Sequence, residues 1–584
     1  MRNLTQWARL LTVVAVLGAG CKSLDVQNPN SPDADRAFSD PGAVAGLVTG
    51  AMRGWVQTRQ SKDGSLLLSA MADAYSSSWN NYNLRYYTSY GPGGGADGNG
   101  GGNCLFRCGW ANTSSSPFRF QIERYWYGYY GLLSSVNDVL VAVRQNGVVL
   151  TNDQNTKMHE AVSVMLQGVV YANIALNYDQ GFVVDDETDL SDPSALPLVG
   201  RVELRDAAIA KFEDAIALMS ANSFTTPSTW LGATSGPTYT NTQLIRLIRT
   251  MQAELLAYFP RDAAEDAAVN WAQVATYAKD GISSGTPFDF SFYVDNVNMD
   301  DGLKDWGNAA SLVKIDSRLA RIITAGPDPS KVHHTPWPGD ADPQPNAFDK
   351  RVGDGSWGPE DDFFGDGTVA EGPNAGTDFA YTASVYLNPS RGLSHFGNLA
   401  HIRYSYVAYP GYGVPGEDGT GVSPTYTATQ NDLLWAEGLI RGGGSAAQAA
   451  TLINKTRVDR GGLAPVTAAS TPAQLLAALQ YENEIELLSI GPTPFFNRRR
   501  ATPANWALSD ACPAILCLWP QTPRQMPIPA KELGVLQKEL YSFGGPDNAA
   551  FARGSFAGDQ GVVSARKLRE SMLKASVGKK RPKS

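Results

Sequence analysis

Residues 426–500 constrain this chain more than any other stretch, because they read as helices punctuated by glycine. The first predicted helix covers 431–441, with Leu433, Leu434, Ala436, Leu439 and Ile440 forming an apolar stripe. Gly442-Gly443-Gly444 stops it, since three glycines bring a backbone freedom that a helix interior does not tolerate cheaply. Ser445 then caps a second helix, with Gln448 at capping-box spacing. Ala449, Leu452, Ile453 and Thr456 share one face of that helix, which ends at Gly461-Gly462. A third helix opens at Thr471-Pro472, with Gln474 completing another capping box, and runs to Gly491 and a loop. Short hairpins of this kind cannot bury their apolar faces alone and must stack on others.

The rest of the chain supplies them. Helical spacing predicts elements over 41–57, 65–74, 120–144, 152–177, from Leu204 onward, 242–259 and 271–282. Their intervals are irregular, which excludes a regular solenoid. Between 287 and 425 Gly, Pro, Asp and aromatic residues dominate, with short helical pieces such as 309–323. The expected fold is mainly α: a tetratricopeptide-like scaffold of helical hairpins carrying a loop-rich lobe and few short strands.

The N-terminus reads as an address. Arg2 and Arg9 precede a short apolar run over 10–17, too short to span a bilayer. Gly18-Ala19-Gly20-Cys21 resembles a bacterial lipobox, which makes 1–20 a signal peptide, Cys21 the lipidated residue and 21–40 a polar tether. The body then spans 41–570, and 571–584 is a basic tail. A net charge of −9 argues against a nucleic-acid partner. Four further cysteines form two close pairs, Cys104 with Cys108 and Cys512 with Cys517. Export permits each pair to be a disulfide closing a small loop. Metal ligation is the alternative, and the lack of a neighbouring histidine disfavours zinc.

Four ordered stretches resemble the SusD/RagB family of nutrient-uptake outer-membrane lipoproteins: Cys21 through Asp33 with the helix start at Phe38-Ser39-Asp40-Pro41; Leu433-Leu434-Trp435-Ala436-Glu437-Gly438 with Leu452-Ile453-Asn454-Lys455-Thr456-Arg457; Glu482 through Leu488 leading to Phe495-Phe496-Asn497-Arg498-Arg499-Arg500; and Met526-Pro527-Ile528-Pro529-Ala530-Lys531-Glu532. The resemblance implies a lipid-anchored protein on the outer membrane. It would bind an oligosaccharide or peptide, without cofactor or bond chemistry, and act as a lid over a SusC-like TonB-dependent transporter. The rival from another class is a secreted glycan hydrolase using lobe carboxylates such as Asp361 or Asp362.

The binding candidate is an aromatic loop containing Trp79, Asn80, Asn81, Tyr82, Arg85, Tyr86 and Tyr87. A sugar ring offers an apolar C–H face to flat aromatic rings and a rim of hydroxyls to Asn, Asp and Arg. Ordinary packing of loop aromatics is the bland alternative. Trp306, with Tyr293 and Trp337, is the candidate for an opposite wall, whereas Tyr125, Trp126, Tyr129 and Tyr130 recur at helical spacing and read as core. Glu482 and Glu486, one helical turn apart, have the residue types of a glycosidase pair. An ion-pair cluster with the arginines at 498–500 explains them more simply. Gly281 to Gly285 fits a nucleophile-elbow pattern but follows a helix, so it reads as a C-cap turn. The GxGxxG match over 93–98 lacks a preceding strand. Asp295, Asn298, Asp300 and Asp301 have calcium-type oxygens without the EF-hand spacing, so no metal site is expected.

Overall fold

The computed structural model describes residues 39–77, 80–88, 109–192, 195–295, 297–308, 313–316, 318–319, 322–323, 349–352, 376–381, 399–404, 420–500 and 522–544. The signal peptide, Cys21, Trp79, Trp337, Asp361, Asp362, the 93–98 glycine match and the basic tail lie outside these residues. So do all four cysteines expected to pair as disulfides: Cys104, Cys108, Cys512 and Cys517.

Helix α1 (Pro41–Arg59) starts where Asp40 accepts hydrogen bonds from the Gly42 and Ala43 amides, with proline at its first turn. A π-helical turn, Lys62–Leu66, leads into α2 (Leu67–Met71) and strand β1 (Tyr75–Ser76). A 3-10 turn, Asn81–Asn83, precedes α3 (Leu84–Thr88). The long helices α4 (Phe120–Leu140) and α5 (Asp153–Asn177) follow, the second capped by Asn152. Strands β2 (Gln180–Gly181) and β3 (Val199–Gly200) pair antiparallel before α6 (Arg201–Ala221). Next come α7 (Asn241–Tyr258), opened by the Thr240/Gln243 capping box, α8 (Ala263–Ala267) and α9 (Trp271–Lys279). Then follow β4 (Phe290–Val294), α10 (Gly302–Gly307), β5 (Lys314–Ile315), β6 (Phe379–Tyr381), β7 (Leu399–His401) and β8 (Gly421–Tyr426). The C-terminal helices are α11 (Ala428–Arg441), α12 (Ala446–Arg457), α13 (Pro472–Glu486), α14 (Thr493–Arg500) and α15 (Ala530–Val535).

The helices pack in series: α1 on α4, α4 on α5, α5 on α6, α6 on α7, α7 on α9, α9 on α11, and α11 on both α12 and α13. The core therefore runs along the row, with Trp55, Trp126 and Trp230 among its fully enclosed side chains. The step from α9 to α11 skips the loop-rich segment. That segment leaves and returns on one antiparallel stem, with Phe290 of β4 opposite Tyr426 of β8. Helices α9 and α11 meet backbone to backbone. A Cβ on Gly438 would lie 2.5 Å from the Ala275 amide nitrogen, which is why the helix carries glycine in its middle despite the cost in propensity.

The strand pairs described are all two-stranded and antiparallel. Two local expectations are corrected. Within 309–323, predicted helical, residues 314 and 315 form β5 against β1, with Ile315 opposite Tyr75. Pairing with a distant strand outweighed the local helical pattern there. The arginines at 498–500 lie on helix α14 rather than in a loop. Helix α13 stops at Glu486, and left-handed backbone at Ser489 and Gly491 turns the chain into α14.

Candidate functional site

The aromatic loop folds into a small platform on the turn between β1 and α3. Tyr82 and Asn83 both hold left-handed backbone, with φ of 53° and 58°. Asparagine tolerates that region, whereas a bulky tyrosine is strained in it and stays only where its surroundings fix it. Here the Gln121 amide of α4 donates to the Tyr82 carbonyl at 2.9 Å, and Asn83 donates to the Gln121 side chain and to the Pro117 carbonyl. Asn80 accepts the Tyr86 amide at 3.0 Å and closes the turn.

The strained turn sets the Tyr82 ring edge-on against the Trp306 indole of α10, with centroids 4.8 Å apart and planes at 81°. Lys62 Nζ lies 5.7 Å from the Tyr82 centroid, 3.5 Å from Asp300 and 3.9 Å from Asp305. Burial opposes the Lys62 charge, yet Asp300, Tyr82 and Asp305 outweigh it and hold its pKa above the ordinary value. Burial, with Asp300 and Asp301 nearby, pushes the Asp305 carboxyl up to about 6 against the pull of Lys62. The result is a half-buried ring backed by a second ring and rimmed by an amine, two carboxyls and the exposed Asn81.

Of the residues expected here, the structure brings Tyr82 and Trp306 into contact and places Asn80 and Asn81 on the same turn. Trp306 is only 8% exposed, so it backs Tyr82 rather than forming a separate opposite wall. Arg85, 6% exposed, is buried in α3 and is not part of the open rim. Tyr86 stacks on Phe118 at 3.8 Å and Tyr87 packs on Trp110 at 4.7 Å, so these two rings anchor the loop to the body. Tyr293 lies on β4 opposite Val422. Lys62, Asp300 and Asp305 escaped sequence reasoning as partners of Tyr82. Lys62 carries no pattern at all, and Asp300 drew notice only as a possible calcium ligand.

That calcium reading does not fit. Asp295 accepts the amides of Val297, Asn298 and Met299, which outweigh desolvation and bring its carboxyl down to about 2. Asp301 takes Lys304, Ser423 and Gln60, and Asp300 pairs with Lys62. Among the described residues no group of three or more His, Cys, Asp or Glu side chains is placed to hold a metal. The paired cysteines do not bear on this, since Cys104, Cys108, Cys512 and Cys517 fall outside the described residues, and their disulfides stay an expectation from sequence. The turn at 281–285 follows α9, and Ser283 accepts a hydrogen bond from Asn431, so it has no strand-to-helix elbow.

Glu482 and Glu486 form an ion-pair cluster, but with other arginines than expected. Arg351 donates to Glu482 at 2.6 Å, to Glu486 at 2.7 Å and to Asp349 at 2.9 Å. Arg403 and Arg460 reach the other Glu486 oxygen at 2.8 and 2.7 Å, and Arg460 also clasps Asp378. Burial tends to raise Glu486, and Arg403, Arg460 and Arg351 outweigh it and hold the carboxyl below its ordinary range. The arginines of α14 go elsewhere: Arg498 to Asp73, Arg500 to Glu437 through two bonds, and Arg499 to the Leu176 and Tyr258 carbonyls. The cluster clamps the lobe segments at 349–352, 376–381 and 399–404 onto α13.

His401 belongs to this joint. Its Nδ1 lies 3.2 Å from the Tyr75 hydroxyl, and burial, with Arg403, Lys304 and Arg460 nearby, drives its pKa well below the ordinary 6.5. The native state therefore keeps the ring neutral while the unfolded chain takes up a proton below pH ~6.5. Stability from this residue is complete above that pH and falls as pH drops, by about 1.4 kcal/mol per unit until the folded pKa is reached. Denaturant midpoints measured from pH 7 to pH 5 should show His401→Phe flattening that slope; an unchanged slope would refute the assignment.

The sequence matches no family model, and no curated protein aligns with it. Solved structures do align. A SusD superfamily protein from Parabacteroides distasonis is 12% identical, with 84% of this chain and 97% of that chain covered at a TM-score of 0.53. A SusD-like carbohydrate binding protein from Bacteroides fragilis is 15% identical, with 79% and 86% covered at 0.49. The surface glycan-binding protein A of Bacteroides uniformis is 16% identical, with 70% and 83% covered at 0.40.

Proposed function

From the SusD-like fold that this chain has, we propose that it is a surface nutrient receptor: it binds an oligosaccharide over Tyr82, without cleaving it, for delivery to a SusC-like TonB-dependent transporter. One observation carries the reading. A tyrosine is held in strained left-handed backbone, its ring propped on Trp306 and circled by polar groups. Strain of that kind persists where a ring must be presented in one pose. The combination suits a sugar, whose C–H face meets the ring while Lys62, Asp300, Asp305 and Asn81 meet hydroxyls.

Asp361 and Asp362 of the rival hydrolase reading lie outside the described residues and are left to the reducing-end assay, while the Glu482/Glu486 pair supports the non-catalytic part. Each of their four oxygens faces a guanidinium, so neither carboxyl is available as acid or nucleophile. Among the described residues no helix is long and apolar enough to cross a membrane, and the proposal takes Cys21 as the lipid attachment that holds the protein at the outer membrane. The test is a panel of neutral oligosaccharides and peptides titrated calorimetrically, with reducing ends followed over time. Saturable oligosaccharide binding with no new reducing ends is expected. Binding of peptides alone would redirect the ligand class, and steady release of reducing ends would overturn the receptor reading.

A further inference from the structure

We infer that a second groove, between α4, the segment after β2 and α15, binds a small organic cation, an ammonium group on an apolar body. The cavity measures about 340 Å³, within the range of small-solute pockets, and shares no lining residue with the Tyr82 platform. Tyr130 and Phe182 line its floor over the enclosed Trp126, which is 2% exposed and lies 4.8 Å from Tyr130 and 6.1 Å from Phe182. Tyr127, Leu190 and Val535 stand around it, 41%, 52% and 77% exposed. Of the eight exposed large apolar side chains among the described residues, these three gather at one cavity.

Two carboxyls at the edge supply the charge. Asp138 and Glu532 make no ion pair among the described residues, and Lys531 reaches Glu123 at 3.6 Å rather than Glu532. Burial raises both carboxyls, and for Glu532 the only opposing influence is a hydrogen bond from Trp126. A cation seated beside them meets two carboxyls together with the rings of Tyr127 and Tyr130, a combination that favours ammonium ions. The Asn137 amide is already spent within the protein, donating to the Val184 carbonyl and accepting from Gln167, so the two carboxyls carry the polar recognition here.

The test compares choline with 3,3-dimethylbutan-1-ol, its neutral isostere, by ligand-observed NMR on the full chain. Choline is expected to bind and the isostere to bind at least about tenfold more weakly. The double variant Asp138→Asn/Glu532→Gln should lose about tenfold in choline affinity while its oligosaccharide binding stays as in the parent. Absence of choline binding, equal binding of the isostere, or an unchanged double variant would each overturn the cation site. None of these outcomes bears on the Tyr82 platform, so the two readings fail separately.

Discussion

Replacing Arg351 by methionine is expected to destabilise the protein by about 3–5 kcal/mol, because it removes the one guanidinium shared by three enclosed carboxylates. Arg351, Asp349, Glu482 and Glu486 all have side chains with 0% exposure. Desolvating a charge is costly, and their mutual attraction repays it only while every partner is present. After the change Asp349 keeps no cation, only the Tyr481 hydroxyl, and Glu482 keeps only Arg457, at 3.9 Å. An exposed pair such as Arg205–Asp206 offers the contrast, since its removal should cost about 0–1 kcal/mol. The Arg351 carbonyl also accepts the Asp378 and Phe379 amides, so the same residue ties the lobe strands in place. Guanidinium denaturation should show the loss, with limited proteolysis cutting the lobe before the helical row. A loss under about 1 kcal/mol would refute the clamp.

Tyr82→Ala is expected to weaken oligosaccharide binding roughly thirtyfold, about 2 kcal/mol, through loss of ring contact. Folding should survive. The ring is half-buried, and alanine relieves some of the strain of a bulky residue at positive φ. The Tyr82 carbonyl bond to Gln121 does not depend on the side chain. Tyr82→Phe should keep most affinity if the ring face carries the contact. Isothermal calorimetry on the best ligand of the panel decides it; undiminished binding by Tyr82→Ala would take the platform out of the site.

The helices were legible because their signals are local. Thr471 with Gln474 closes a cap within four residues, and the apolar stripe of α11 shows in its own spacing. The tyrosine loop was legible as chemistry, since rings and amides crowd a few positions. What it touches was not: Trp306 comes from more than 200 residues away in sequence, and Arg85, a plausible ligand contact on paper, turns inward. The arginines at 498–500 looked like partners for Glu482 and Glu486 because they follow closely, yet Arg351 and Arg403 arrive from the lobe and Arg460 from the turn after α12.

The amino-acid order alone pointed to stacked helices and to a stretch of loop-type composition over 287–425. It also marked where polar aromatic chemistry concentrates. Only the tertiary structure decided which ring stands in the open, which carboxyls are neutralised and by which cations. Helix formation is written in residues three or four apart, whereas burial and charge pairing depend on chain segments that meet only after the helices have packed.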